Sequence, residues 1–225
     1  MKVQLSIGSK SVTRTRRSGG YAPSVSTVEQ PVLDGRRARR ERGRLAVIDA
    51  MVDLIQEGHT PPTAEAIAER SGVSVASVFR YFDSLDDLQQ EATTRFFERY
   101  AAAFEVPGIG AGTLGQRADR YARARLRLYE TITPVARLTR ARSIDHPTLA
   151  QNLHRMRRLL AEQARAHFAP ELSRCTRAAA DDVVGSISTL TSFESWDTLR
   201  HDLDRSPSQI RRAWVAAITA LLPPS

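Results

Sequence analysis

The chain has 225 residues, 41% of them hydrophobic and 26% charged, and a formal net charge of +8. That is the balance of a globular protein with room for one large or two small domains, and no apolar run approaches the roughly 20 residues a membrane span needs. A single cysteine, Cys175, excludes an internal disulfide and fits a reducing cytoplasm.

Residues 1–44 hold eleven Lys or Arg against Glu29, Asp34 and Glu41, whereas residues 45–225 hold 22 charges of each sign. The whole positive excess therefore lies at the amino-terminal end, the footprint of a phosphate-binding segment. Residues 1–33 lack helical periodicity and are read as a disordered basic arm. Arg16-Arg17 is a twin-arginine pair, but SGGYAPSVSTVEQ after it offers no apolar stretch for export. An organelle transit peptide and an inert tail are the other readings of this arm.

Arg36, Arg37, Arg39, Arg40 and Arg44 lie in the run RRARRERGR, which leads into LAVIDAMVDLIQEG. Leu45, Ile48, Val52 and Ile55 recur at helical spacing and are expected to form the core face of a first helix ending at Gly58. Residues 63–85, TAEAIAERSGVSVASVFRYFDSL, then place two short helices around a glycine turn. Thr63 and Ser74 are candidate caps, and Gly72 suits the reversal between the helices. Val78 and Phe82, four apart, are expected to face inward. Val75, Ala76, Ser77, Phe79 and Arg80 then face outward, a surface suited to thymine methyls with Arg80 as a guanine reader. This is the layout of a helix-turn-helix, although an ordinary helical hairpin has the same spacing.

Residues from about 36 to 92 resemble the amino-terminal DNA-binding domain of the TetR family of bacterial transcriptional regulators. The likeness runs through Ile67-Ala68-Glu69-Arg70-Ser71-Gly72-Val73-Ser74 and Ser77-Val78-Phe79-Arg80-Tyr81-Phe82, then Ser84 and Leu88. It implies contact with double-stranded DNA through the five arginines, Thr63, Ser74, the outward face and Tyr81. Phe79 stands where the family often has Tyr, and Leu85 where it often has Lys. Both departures remove a phosphate contact, and Tyr81, where the family often has His, is the candidate replacement.

Ser84 caps a further helix with Asp86 and Asp87 in its first turn, where the helix dipole favours acids. Leu88, Ala92, Phe96 and Tyr100 continue its apolar face. Gly110-Ala111-Gly112-Thr113-Leu114-Gly115 matches a dinucleotide fingerprint, but RFFERYAAAFE before it is helical, so a loop between helices is expected and no cofactor. Amphipathic helices follow over about 113–131, 134–142, 148–168, 175–193 and 207–222, punctuated by Pro134, Pro147, Pro170 and Pro207. The fold class is all-α: a basic arm (1–33), a three-helix DNA-binding domain (34–92) and a helical effector-binding and dimerisation domain (93–225).

The resemblance implies a homodimer, a small-molecule effector and a repressor released from a near-palindromic operator. Val183, Ile187 and Leu190 on one stripe, and Ile210, Trp214, Ala217, Ile218 and Leu221 on another, are candidates for a self-associating four-helix bundle. Both stripes also read as intramolecular core. Tyr121, Leu126, Tyr129, Met156, Phe168, Phe193 and Trp196 are candidates to line an effector pocket, and each also reads as core. His146, His154 and His167 lack the partners of a metal site. Two other readings remain: an architectural or partner-recruiting DNA-binding protein without an effector, and a helical enzyme. No catalytic constellation supports the enzyme. The nucleoid is the expected place of work.

Overall fold

Strong helix formers fill the basic run at 36–44, and only Gly43 opposes a helix there. The computed structural model describes residues 30–59 and 61–223, with side chains from residue 35, and carries that run as helix. Helix α1 spans Gln30–Gln56 and takes in both the arginines and the apolar residues after them. The arm expected over 1–33 lies outside the described residues except for its last four, which belong to α1. Among the described residues every regular element is helical, so the fold is all-α.

The described residues form two compact units. The first holds those up to Asp53 and those of Pro62–Glu98, the second Leu54–Pro61 and those from Arg99 onward. In the first unit, Val47, Ile48, Met51 and Val52 of α1 are buried. Leu45 was expected among them but is 43% exposed. It shares the face of Ile48 and Val52 but lies before Val47, where the buried stretch of α1 begins. Helices α2 (Ala64–Ser71), α3 (Val75–Tyr81) and α4 (Leu85–Arg99) complete the unit. Ser84 Oγ accepts from Asp87 N at 3.0 Å to start α4, and Leu88, Ala92 and Phe96 turn inward as expected. Tyr100 lies past the last residue of α4 and is half-buried.

The second unit continues through a 3-10 turn (Ala101–Phe104) to α5 (Leu114–Arg142), α6 (Pro147–His167), α7 (Ala169–Leu172) and α8 (Arg177–Leu190). After them come α9 (Phe193–Asp197), a π-helical turn (Thr198–Asp202) and α10 (Pro207–Leu221). Helix α5 is the hub, packing on α6, α9 and α10. It replaces the two helices expected over 113–131 and 134–142, because Pro134 does not interrupt it. Proline removes one backbone donor and crowds the preceding turn. Side chains occupy nearby carbonyls there: Thr133 Oγ1 donates to Tyr129 O, and Gln56 Nε2 donates to Thr131 O at 3.1 Å. Capping boxes start α5 at Thr113/Gln116 and α10 at Ser206/Gln209.

The glycine segment is a loop, as its helical flank required. Its carbonyls serve α5: Arg117 donates to Gly110 O and Gly112 O, and Arg120 to Ala111 O. A dinucleotide cradle offers backbone N–H groups to phosphate, whereas this loop turns acceptors toward guanidinium groups.

Candidate nucleic-acid interface

In the first unit, Ala64, Ile67 and Ala68 of α2 are buried, and Thr63 Oγ1 accepts from Ala66 N at 3.2 Å to cap the helix. Gly72 ends it at φ 71°, its N–H reaching Glu69 O, while Val73 N–H reaches Ala68 O. A residue with a Cβ would be strained in that left-handed conformation. Ser74 Oγ caps α3 through Ser77 N at 3.2 Å. Val78 and Phe82 are 1% and 3% exposed, so α3 is seated by these two side chains.

Inward burial of Val78 and Phe82 fixes what faces out. Ala76, Phe79 and Arg80 are exposed, and Val75 and Ser77 are half-buried at the edges of that face. Phe79 is 53% exposed, an apolar ring held in water with no core to fill. Ser74 and Ser77 hydroxyls lie 3.0 Å apart, and Arg80 Nη2 donates to Ser77 Oγ at 2.8 Å. The Arg80 guanidinium also sits 5.5 Å from the Tyr81 ring centroid. Two contacts thus hold the long Arg80 side chain along its own helix, which lowers the entropy lost when it meets a partner.

The scaffold behind α3 is tied by charge and close packing. Arg44 donates to Glu91 of α4 and lies 5.1 Å from the Phe82 ring centroid. Burial raises the Glu91 pKa more than the Arg44 charge lowers it, so this pair braces geometry more than it stabilises. Arg95 Nε donates to Asp49 Oδ1 at 2.9 Å, a second tie between α4 and α1. A Cβ on Gly43 would come within 2.6 Å of the Tyr81 hydroxyl. Any side chain at position 43 would therefore require the Tyr81 ring to shift.

Of the five arginines expected at DNA, Arg36, Arg37, Arg39 and Arg40 are exposed along α1, while Arg44 is half-buried and engaged with Glu91 and Phe82. Arg42, in the same run, is exposed too. Thr63, Ser74, Val75, Ala76, Ser77, Phe79, Arg80 and Tyr81 all belong to α2, α3 or their caps in this one unit. Among the described residues no group of three or more His, Cys, Asp or Glu could hold a metal ion, and no helix is long and apolar enough to cross a membrane.

The second unit divides the expected effector-pocket residues. Tyr121 and Phe168 lie in one core cluster, and Leu126, Tyr129, Phe193 and Trp196 in another, all buried. Met156 is half-buried and belongs to neither set of buried residues. The dimerisation stripes divide as well. Ile187, Ile210, Trp214 and Ile218 are at most 3% exposed and fill the unit's own core, because they lie on the inner faces of α8 and α10. Val183, Leu190, Ala217 and Leu221 keep accessible surface.

The fold and this outward helix define an all-helical protein with an amino-terminal helix-turn-helix. Residues 47–92 match the family described as "Bacterial regulatory proteins, tetR family". An 86-residue stretch, 38% of this chain, is 36% identical to the HTH-type transcriptional repressor KstR of Mycolicibacterium smegmatis. That match spans 42% of the relative's own length. The fold is shared with a TetR-family regulator from a Rhodococcus species (17% identity, TM-score 0.59, covering 80% of this chain and 98% of the other). It is also shared with a regulator from Streptomyces coelicolor A3(2) (22% identity, TM-score 0.53, covering 80% and 98%). The family likeness is thus carried by the amino-terminal helix-turn-helix region, and beyond it the fold is the one these regulators share.

Proposed function

We propose that the protein is a homodimeric repressor whose α3 enters the DNA major groove and whose second unit receives a small molecule that lowers DNA affinity. The observation that carries the first half is the outward face of α3, where Phe79 stands 53% exposed beside a prearranged Arg80. In this reading Arg80 takes guanine, and Val75, Ala76 and Phe79 take thymine methyls. Ser74, Ser77, Thr63 and Tyr81 adjoin the backbone, and the exposed arginines of α1 neutralise phosphates. A single helix-turn-helix reads too few base pairs, so a two-fold dimer reading two half-sites is the economical arrangement. Support for that pairing comes from the partly exposed Val183, Leu190, Ala217 and Leu221, together with small exposed residues such as Gly185, Ala213 and Ala216 that let helices approach closely.

The test is a DNase footprint on DNA flanking the protein's own gene, repeated at two salt concentrations. A protected, near-palindromic stretch that survives moderate salt is expected. Binding that leaves no footprint and collapses steeply with salt would reduce the protein to a polyanion binder and overturn the reading.

A further inference from the structure

In α3, VASVFRY, Arg80 is the one charged side chain, and it is exposed, so burial does not set its direction. Polar contacts along the helix do. Ser74, Ser77 and Arg80 are spaced three apart, which makes them neighbours on one edge of the helix. A guanidinium has donors only, so at 2.8 Å Arg80 Nη2 donates and Ser77 Oγ accepts. Ser77 keeps its own hydroxyl hydrogen available for Ser74 Oγ, 3.0 Å away, which also accepts from Ser77 N at 3.2 Å. The arginine is thereby tied back to the cap that starts its own helix.

The second hold comes from α1. The Arg80 guanidinium carbon lies 5.5 Å from the Tyr81 ring centroid, and that ring lies against the backbone of α1 at Gly43. A Cβ there would stand 2.6 Å from the Tyr81 hydroxyl oxygen, 3.1 Å from Cζ and 3.2 Å from Cε2. Alanine at position 43 would therefore push the ring, and the guanidinium that rests on it would lose its seat.

We infer that Ser77, and Gly43 acting through Tyr81, are positioning residues that aim Arg80 and so set the base preference at the position it reads. The inference rests on the reading of α3 as the helix in the major groove and names what gives that site its selectivity. Arginine reads guanine as a planar fork on O6 and N7, which demands an angle as well as a charge. One N–H spent on Ser77 leaves enough donors for that fork. A loosened Arg80 keeps its charge and still attracts DNA, but it has to be ordered at the moment of binding and accepts more than one base. Lost discrimination with unchanged salt dependence is the signature, because no phosphate contact is removed.

The experiment uses the full-length protein to select duplexes from a randomised library. Affinities are then measured for the selected duplex and for versions carrying each base in turn. Arg80→Ala identifies the position Arg80 reads. Ser77→Ala and Gly43→Ala should each lower the preference at that same position by about threefold to tenfold, the scale of one modest contact. Their salt slopes should match that of the unaltered protein. Ser77→Ala should also melt at the unaltered temperature, since alanine keeps the backbone N–H that Ser74 caps. Ser77→Thr, which keeps the hydroxyl, should keep the preference. Tyr81→Phe added to Gly43→Ala removes the atom that the new Cβ meets first and should restore part of it. Unchanged preference in Ser77→Ala or in Gly43→Ala overturns the positioning role of that residue. A loss at a different position in Ser77→Ala also overturns it, because Ser77 would then read a base itself. A selected sequence that depends on Arg80 but not on Ser77 or Gly43 refutes this inference alone, whereas failure to select any sequence refutes the reading of α3 as well.

Discussion

The two units use arginine in opposite ways. In the first, Arg36, Arg37, Arg39, Arg40 and Arg80 stand in water, and half-buried Arg44 is held by Glu91. In the second, Arg117 and Arg125 are 4% and 1% exposed at the centre of a core. An exposed guanidinium is solvated, so removing it should leave folding alone and weaken only the meeting with a partner. A buried one is part of the internal charge balance, and removing its counter-charge should strike folding directly. The difference teaches that burial, and not the type of side chain, decides whether losing an arginine strikes folding.

The strongest way to break this comparison is to remove the carboxylate beside Arg117. Glu171 is 2% exposed, and Glu171→Ala leaves a buried cation with its main partner gone. The expected loss is about 3–5 kcal/mol in urea unfolding of the second unit. The double replacement Arg117→Met with Glu171→Met should recover most of it. If Glu171→Ala unfolds like the unaltered protein, burial does not divide the arginines as argued.

The matching change in the first unit is Arg80→Ala. Its expected effect is a loss of roughly 1–3 kcal/mol on the operator and a relaxed preference at one base position. The melting temperature should stay where it was, since the side chain is exposed and touches only Ser77 and Tyr81. A lower melting temperature with unchanged base preference would remove Arg80 from the reading role.

The same contrast explains what the sequence made legible. The helix-turn-helix was readable because local chemistry dictates it: caps at Thr63 and Ser74, a left-handed Gly72, and Val78 and Phe82 four apart. The buried arginines of α5 were not, because their burial depends on which helices α5 meets. Tyr121 and Tyr129 were visible as apolar-face residues, while Arg117 and Arg125 on the same four-residue spacing look like an exposed stripe until tertiary packing covers them. That regular alternation of Arg and Tyr was the one available signal. Continuous α5 was missed for a related reason. Pro134 signals a break in an isolated helix, and packing on both sides, with side chains serving nearby carbonyls, outweighs it. Ile187, Ile210, Trp214 and Ile218 are covered by their own chain, which an apolar stripe alone does not say, since a second copy could cover it as well.

A smaller effect follows from His167, which is fully buried beside Tyr121 and donates Nε2–H to the Arg117 carbonyl at 3.1 Å. Burial lowers its pKa from the ordinary 6.5, offset in part by that hydrogen bond and reinforced by Arg120, Arg117 and Arg125. The folded protein resists a proton that the unfolded chain accepts, so stability is full above about pH 6.5 and declines as pH falls below it. The slope contributed by one such group cannot exceed about 1.4 kcal/mol per pH unit. His167→Gln should flatten the melting temperature between pH 6.5 and 5 relative to the unaltered protein. An equally steep decline in both would assign the acid sensitivity elsewhere.

The smallest effect tests whether exposure or the unit itself sets the behaviour of a charge. Glu194 of α9 lies in the second unit but keeps nearly half of its side chain exposed, and it accepts from Arg140 Nε at 3.0 Å and from Arg157. Burial pushes its pKa up, but the two arginine hydrogen bonds outweigh that and bring it down to about 2. A depressed carboxylate stabilises the fold above its unfolded pKa near 4.5, and the contribution fades as pH falls from there toward 2. Because solvent reaches the group, the contribution is expected at no more than about 1 kcal/mol and to shrink with salt. Glu194→Gln should therefore melt slightly below the unaltered protein at neutral pH and low salt, with the gap closing both near pH 2 and in high salt. Had the second unit as a whole imposed a low dielectric, the gap would persist in salt as a buried pair's would. Closure in salt would make Glu194 behave like the exposed charges of α1, leaving burial alone as what separates the two kinds of arginine.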